Sequence, residues 1–159
     1  MHAVVSKRDL ARILARCQGV ADKKSTMPVL GNVLVEARKS GELALAATDL
    51  YLAVSGSIAG QVDRVGSVAL AARDLFERVK MMPEGNLSLS MQGDGAVTMR
   101  AQGQPRRYTL KGLPGSEFPT LPQPLMPQLD QVQLGRHQVL AYLCRREDCL
   151  QSRNNYYQL

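Results

Sequence analysis

Residues 3–19, AVVSKRDLARILARCQG, pass from strand chemistry to helix chemistry within a few positions, and the fold class turns on that change. Ala3–Val5 is a short apolar strand candidate. Ser6 stands where a helix N-cap belongs, with Asp9 at the third helical position, a variant of the capping box. Leu10, Ile13, Leu14 and Cys17 follow at the spacing of one helix face, and Gly19 supplies a stop. This pattern predicts a strand leading into a helix over residues 7–18.

Working outward, the same two signals return. VLGNVLVE (29–36), LALAAT (43–48) and LYLAVSGSIA (50–59) alternate or run apolar and read as strands, with Ser40-Gly41 turning the first into the second. A strand at 67–70 leads into a second helix over Ala71–Met82, where Ala72, Leu75, Phe76, Val79 and Met82 form the apolar stripe and Pro83-Glu84-Gly85 ends it. Leu87–Met91 and Ala96–Ala101 alternate around Gln92-Gly93-Asp94-Gly95, a hairpin signal, and Tyr108–Leu113 is one more strand. Strand, helix, strands, helix, strands is an α+β pattern: two helices packed on mostly antiparallel sheets.

Five of the eight prolines crowd into PGSEFPTLPQPLMP, residues 114–127. Such density forbids helix and central strand, so this stretch reads as a linker or a chain crossing a sheet edge, with a domain boundary near residue 128. Beyond it the opening pattern returns. Gln131–Leu134 is a strand candidate, and Val139, Leu140, Leu143 and Cys144 resume helical spacing, which suggests a repeat of about 129 residues. The domains are then 1–127 and a truncated second one at 128–159, too short to bury its own apolar face.

The chain has 159 residues, 45% hydrophobic and 21% charged, ordinary for a folded globular protein. No apolar run approaches the roughly 20 residues of a membrane span. Three cysteines without a CxxC pair argue against a disulfide framework, and a reducing cytoplasm is their natural compartment. Charge is more telling. Residues 1–24 hold six Lys or Arg against two Asp, so most of the formal net charge of +6 sits near the N-terminus. Arg8, Arg12 and Arg16 form a ridge nearly opposite the first helix's apolar face. Like charges at that spacing repel by roughly a few tenths of a kcal/mol per pair, so helix stability does not account for them. Arg73 and Lys80, seven residues apart, share one side of the second helix. A polyanion partner or a solvated charged surface would each produce this pattern. With two Phe, five Tyr and no Trp there are few platforms for unpaired bases, which favours duplex backbone over single strand.

Catalysis finds little support. There is no Walker loop, GxGxxG, HExxH or GxSxG. His137 reads as a solvated helix residue. His137, Cys144 and Cys149 match none of the common zinc spacings, and Cys144 falls on an apolar stripe, as Cys17 does. Asp49 reads as a turn residue between two strands. Neither a cofactor nor a metal is implied, and an enzyme is not expected.

Three motifs then meet a known family. Thr26-Met27-Pro28-Val29-Leu30-Gly31-Asn32, Ala47-Thr48-Asp49-Leu50 and Leu113-Pro114-Gly115-Ser116-Glu117-Phe118-Pro119, in that order, resemble the bacterial DNA polymerase III beta subunit, the sliding clamp. Tyr51 departs from the family, which usually carries an acid there. The resemblance implies a DNA-clamp fold whose repeated domains close a homodimeric ring, helices inward and sheets outward. It implies a non-enzymatic processivity factor encircling double-stranded DNA, with the replicative polymerase and clamp loader as partners. Matching positions suggest Lys24, Arg73 and Lys80 as DNA contacts, with Arg12 added from helix phase. Tyr108 and Leu110 match an edge that pairs with a neighbouring subunit. A standalone clamp-like binding or regulatory module that pairs with full clamp subunits is the alternative.

Overall fold

The computed structural model describes residues 1–21, 27–93 and 95–121, together with the backbone of 139–143. Strand β1 (His2–Ser6) runs directly into helix α1 (Lys7–Val20). A 3₁₀ turn over Pro28–Gly31 precedes β2 (Asn32–Ala37), β3 (Glu42–Thr48) and the long β4 (Leu52–Arg64). The order then repeats: β5 (Gly66–Ala71), α2 (Ala72–Met81), β6 (Asn86–Met91), β7 (Ala96–Ala101) and β8 (Arg107–Pro114). A further strand, β9, covers Val139–Leu143.

The α+β expectation holds, and every strand pairing among the described residues is antiparallel. The sheet is also closed, which the sequence pattern does not foretell. Strands run in the order β1-β6-β7-β8-β5-β2-β3-β4, and β4 returns to pair with β1. Closure follows from two strands that change partners midway. β4 pairs with β3 through Ala59 and with β1 from Gly60, while β8 pairs with β7 through Lys111 and with β5 from Gly112. Both switch residues are glycines for a steric reason. A Cβ on Gly60 would lie 2.7 Å from the Val4 carbonyl oxygen, and one on Gly112 would lie 2.6 Å from a Val68 methyl. Each also donates its N–H to a turn glycine at φ +81°, Gly60 to Gly41 and Gly112 to Gly95.

Two equivalent halves emerge. β1 pairs with β4 and β6, just as β5 pairs with β8 and β2. In each half a helix leaves the first strand and lays its apolar face on the sheet, and the two helices also pack on each other. Leu10, Ile13, Leu14, Cys17 and Val20 of α1 meet Leu75 and Val79 of α2 in one core, with Val5, Leu87, Leu89, Val97 and Met99 from the strands.

Several local expectations change. Ser6 occupies the N-cap of α1, but its hydroxyl makes no capping bond. The Lys7 N–H instead donates to the Gly85 carbonyl at 2.9 Å, and Lys7 Nζ donates to Glu84 Oε1 at 2.6 Å, tying α1 to the loop after α2. The 29–36 strand begins only at Asn32, because Pro28 sets a 3₁₀ turn first. Of the stretch expected to be a linker or a chain crossing a sheet edge, Pro114 ends β8 opposite Val68, and Phe118 is buried. The helical reading of residues 139–143 is overturned, since Val139–Leu143 is a strand on β4, from Leu52↔Leu143 to Gly56↔Val139. A five-residue apolar run carries no periodicity long enough to separate helix from strand, and an available sheet edge decides it. Residues 122–138 and 144–159, with the boundary near 128, His137, Cys144 and Cys149, lie outside the described residues.

Candidate nucleic-acid interface

Helix α1 buries Leu10, Ile13, Leu14 and Cys17 and leaves Arg8, Arg12 and Arg16 at least partly exposed, as their phase requires. Helix α2 buries Leu75 and Val79 and exposes Arg73, Arg78 and Lys80. Because the helices pack side by side, their exposed faces adjoin. Arg12, Arg73 and Lys80 therefore stand on the helical side of the domain, while Lys24 lies outside the described residues. The two faces differ in strength. Lys80 Nζ sits 3.6 Å from Glu77 Oε2 and 5.1 Å from the Phe76 ring centroid, so part of its charge is engaged locally. None of Arg8, Arg12, Arg16 or Arg73 is in a salt bridge among the described residues.

Tyr108 and Leu110 lie on β8, half-buried against the core, opposite Met99 and Val97 of β7. Residues 107–111 pair with β7 on one side and have no strand on the other among the described residues. Sequence reading missed Arg78, whose guanidinium carbon lies 5.1 Å from the Tyr108 ring centroid and so joins α2 to this edge. Its phase on α2 marks it as exposed, and nothing local in the sequence places the ring of Tyr108 beside it.

Among the described residues, Asp49 and Cys17 have structural roles. Asp49 is a turn residue: its Oδ1 accepts from the N–H groups of Tyr51 (2.9 Å) and Leu52 (2.6 Å), which fixes a turn with Leu50 at φ +76°. Burial pushes the Cys17 thiol up to about 12, so it stays protonated and packs as a small apolar group. No group of three or more His, Cys, Asp or Glu among the described residues could hold a metal. A shallow groove of about 300 Å³ crosses the outer face of β2, β3 and β4. Its charged residues, Glu36 and Arg38, are ion-paired with each other at 2.8 Å. No described helix is long and apolar enough to cross a membrane.

Residues 1–122 match the family described as DNA polymerase III beta subunit, N-terminal domain. The chain belongs to that family. The beta sliding clamp of Caulobacter vibrioides is 30% identical over 122 residues, which cover 76% of this chain and 32% of the relative. That of Pseudomonas putida is 30% identical over 140 residues, 86% of this chain and 37% of the relative. A crystal structure of the Caulobacter crescentus DNA polymerase sliding clamp superposes with a TM-score of 0.71 at 30% identity, covering 77% of this chain and 33% of that one. The chain thus spans about a third of the length of the sliding clamps it matches. Its closed antiparallel sheet and paired helices are the clamp fold.

Proposed function

We propose that this clamp domain is part of a ring that encircles duplex DNA and acts as a processivity factor for the replicative polymerase, without catalysing a reaction itself. The observation that carries it is the solvent-facing Arg8, Arg12 and Arg16 ridge on a helix packed beside the basic face of α2. Phosphates attract such a surface without regard to sequence, and an interior that reads no bases lets the ring slide. In this reading Arg12, Arg73, Lys80 and Lys24 face the duplex, and Tyr108 and Leu110 lie at the boundary with a neighbouring subunit. The replicative polymerase and clamp loader are its protein partners, and the cytoplasm is its compartment. A second domain opening near residue 128 belongs to the same proposal, supported by the prolines before it and by the length of the Pseudomonas putida match.

Lys24→Glu combined with Arg73→Glu tests the duplex face. The double variant should bind duplex more weakly at low salt while melting like the parent. For every phosphate no longer neutralised, the slope of log K against log salt should fall by about 0.9. Unchanged binding removes the DNA-channel assignment. The open β8 edge also favours the standalone module that pairs with full clamp subunits. A pull-down with intact clamp that recovers no complex counts against that second reading.

A further inference from the structure

The turn between β3 and β4 holds a conformation that its sequence does not favour. Leu50 adopts φ +76°, in the left-handed region that suits glycine, and its side chain is 43% exposed. Two side chains enforce the turn. Buried Thr48 accepts at Oγ1 from the Leu50 N–H at 3.0 Å and donates to the Leu52 carbonyl at 3.0 Å. Asp49 Oδ1 holds the N–H groups of Tyr51 and Leu52. Strain that the surroundings hold in place marks a segment that presents something, and this one presents Tyr51. Tyr51 is 54% exposed, whereas Phe76 and Tyr108 are half-buried and Phe118 is buried. Lys80 and Arg78 stand over the rings of Phe76 and Tyr108 respectively, but no cation stands over Tyr51 among the described residues.

Strand register locates that turn. β2 and β3 pair through Leu34↔Ala46, and β2 begins at Asn32, opposite Ala71 at the end of β5. The end of β3, the start of β2 and the end of β5 therefore lie at one end of the sheet, with Arg73 two residues beyond β5. Helix α1 starts beside the loop that follows α2, where Lys7 bonds Gly85, so the two packed helices run antiparallel. Arg16, toward the end of α1, is thereby brought to the same end of the domain. Both arginines are exposed, and neither is in a salt bridge among the described residues. We propose that Tyr51 is a stacking platform for an unpaired base, with Arg16 and Arg73 drawing the flanking phosphates to it. An open aromatic ring beside uncommitted cations is the arrangement that holds single-stranded nucleic acid without regard to sequence, because every base has a face to stack. The occupant is the single strand that leaves the end of a duplex lying on the helical face. The proposal rests on the duplex reading of that face and adds a site for the first unpaired nucleotide. A fixed turn suits the task, since its backbone needs no ordering when the base arrives.

The test uses the full 159-residue chain and one short DNA duplex in three forms: blunt, with a single-stranded overhang, and with an overhang of abasic sites. Fluorescence anisotropy at low salt reports affinity, and 2-aminopurine as the first unpaired base reports stacking by its quenching. The base-bearing overhang should bind about fivefold to tenfold tighter than the abasic one, with quenching on binding. Tyr51→Ala should erase that advantage and the quenching while blunt duplex binds as before, and Tyr51→Trp should keep both. Equal affinity for base-bearing and abasic overhangs, with blunt duplex bound, overturns the platform and leaves the duplex reading standing. Failure of all three forms to bind overturns the duplex reading together with the platform. An advantage and quenching that persist in Tyr51→Ala place the base elsewhere and overturn the assignment to Tyr51.

Discussion

The two halves of the domain, residues 2–64 and 66–114, share one connectivity and differ in what they carry. Helix α1 has 14 residues and an uninterrupted arginine ridge, whereas α2 has 10 and interleaves Asp74 and Glu77 with its cations. β3 is buried almost throughout, while every residue of β8 is at least partly exposed. β4 has its outer edge covered by β9 at Leu52–Gly56, and the corresponding stretch of β8 is open among the described residues. The shared elements are those that close the sheet and build the core. The unshared ones lie on surfaces, where a charge or a free edge alters partners at little cost to folding. A repeated unit can therefore hold its architecture in both copies and divide the outward work between them.

The core should be the place where the halves behave alike, and truncating it is the most severe way to break the comparison. Leu10 and Leu75 are the first fully buried leucines of their helices, at 0% and 1% exposure. Each follows an Arg-Asp pair, Arg8-Asp9 and Arg73-Asp74. Leu10→Ala and Leu75→Ala should each cost about 2–5 kcal/mol in urea unfolding. A loss at one position with indifference at the other would show that one half folds around the other instead of sharing its core.

The switch glycines come next. Gly60→Ala and Gly112→Ala should each destabilise by about 1–3 kcal/mol, because the new methyl meets backbone oxygen at both sites and the strands must shift to admit it. Gly19→Ala, at a helical position with nothing within 4 Å of its Cβ, is the control and should stabilise slightly. Should Gly60→Ala be tolerated and Gly112→Ala not, the crossing at β4 would be the more plastic seam.

Duplex binding sharpens the contrast between the helices. Replacing Arg8, Arg12 and Arg16 by Ala should lower the salt slope by about 2 to 3, and replacing Arg73 and Lys80 should lower it by less than about 2. Lys80, already engaged by Glu77 and Phe76, should contribute the smaller share of the second figure. Equal effects from the two helices would mean that the local pairing of Lys80 does not survive the approach of phosphate.

Much of this was legible in the sequence, for identifiable reasons. Helical periodicity marks α1 because Leu10, Ile13, Leu14 and Cys17 repeat over enough turns to exclude a strand, and strict alternation marks β6 and β7. The basic ridge was legible because helix phase alone places it opposite the core. Closure of the sheet was not, since it depends on register between strands far apart in the chain, such as β1 on β4, and local pattern does not encode register. The internal repeat left a trace in the two Arg-Asp-Leu triplets and in the paired glycines, but only the pairings make it unambiguous. Arg78 was passed over because its phase on α2 says that it is exposed, not that an aromatic ring from another strand lies beneath it.

The smallest expected effect distinguishes the two crossings themselves. Where β4 meets β1, Asp63 accepts from Gln61 Nε2 at 3.1 Å and hydrogen-bonds His2 Nδ1 at 2.8 Å. Where β8 meets β5, the residues are Val68, Ala69 and Leu70 against Pro114, Leu113 and Gly112, with no ionisable group. The hydrogen bond from Gln61, and then the one from His2, hold the Asp63 carboxyl below its ordinary value of 3.8. A carboxyl depressed in the folded state contributes stability above its unfolded pKa and loses it as pH falls through the folded one. Acidification below about pH 4 should therefore loosen the first crossing before the second. Hydrogen exchange should show earlier loss of protection at Val4 and Val62 than at Ala69 and Leu70, and Asp63→Asn should flatten the acid limb at the first pair alone. Parallel loss at both crossings, unaffected by Asp63→Asn, would assign the acid response to the domain as a whole and leave the two seams equivalent.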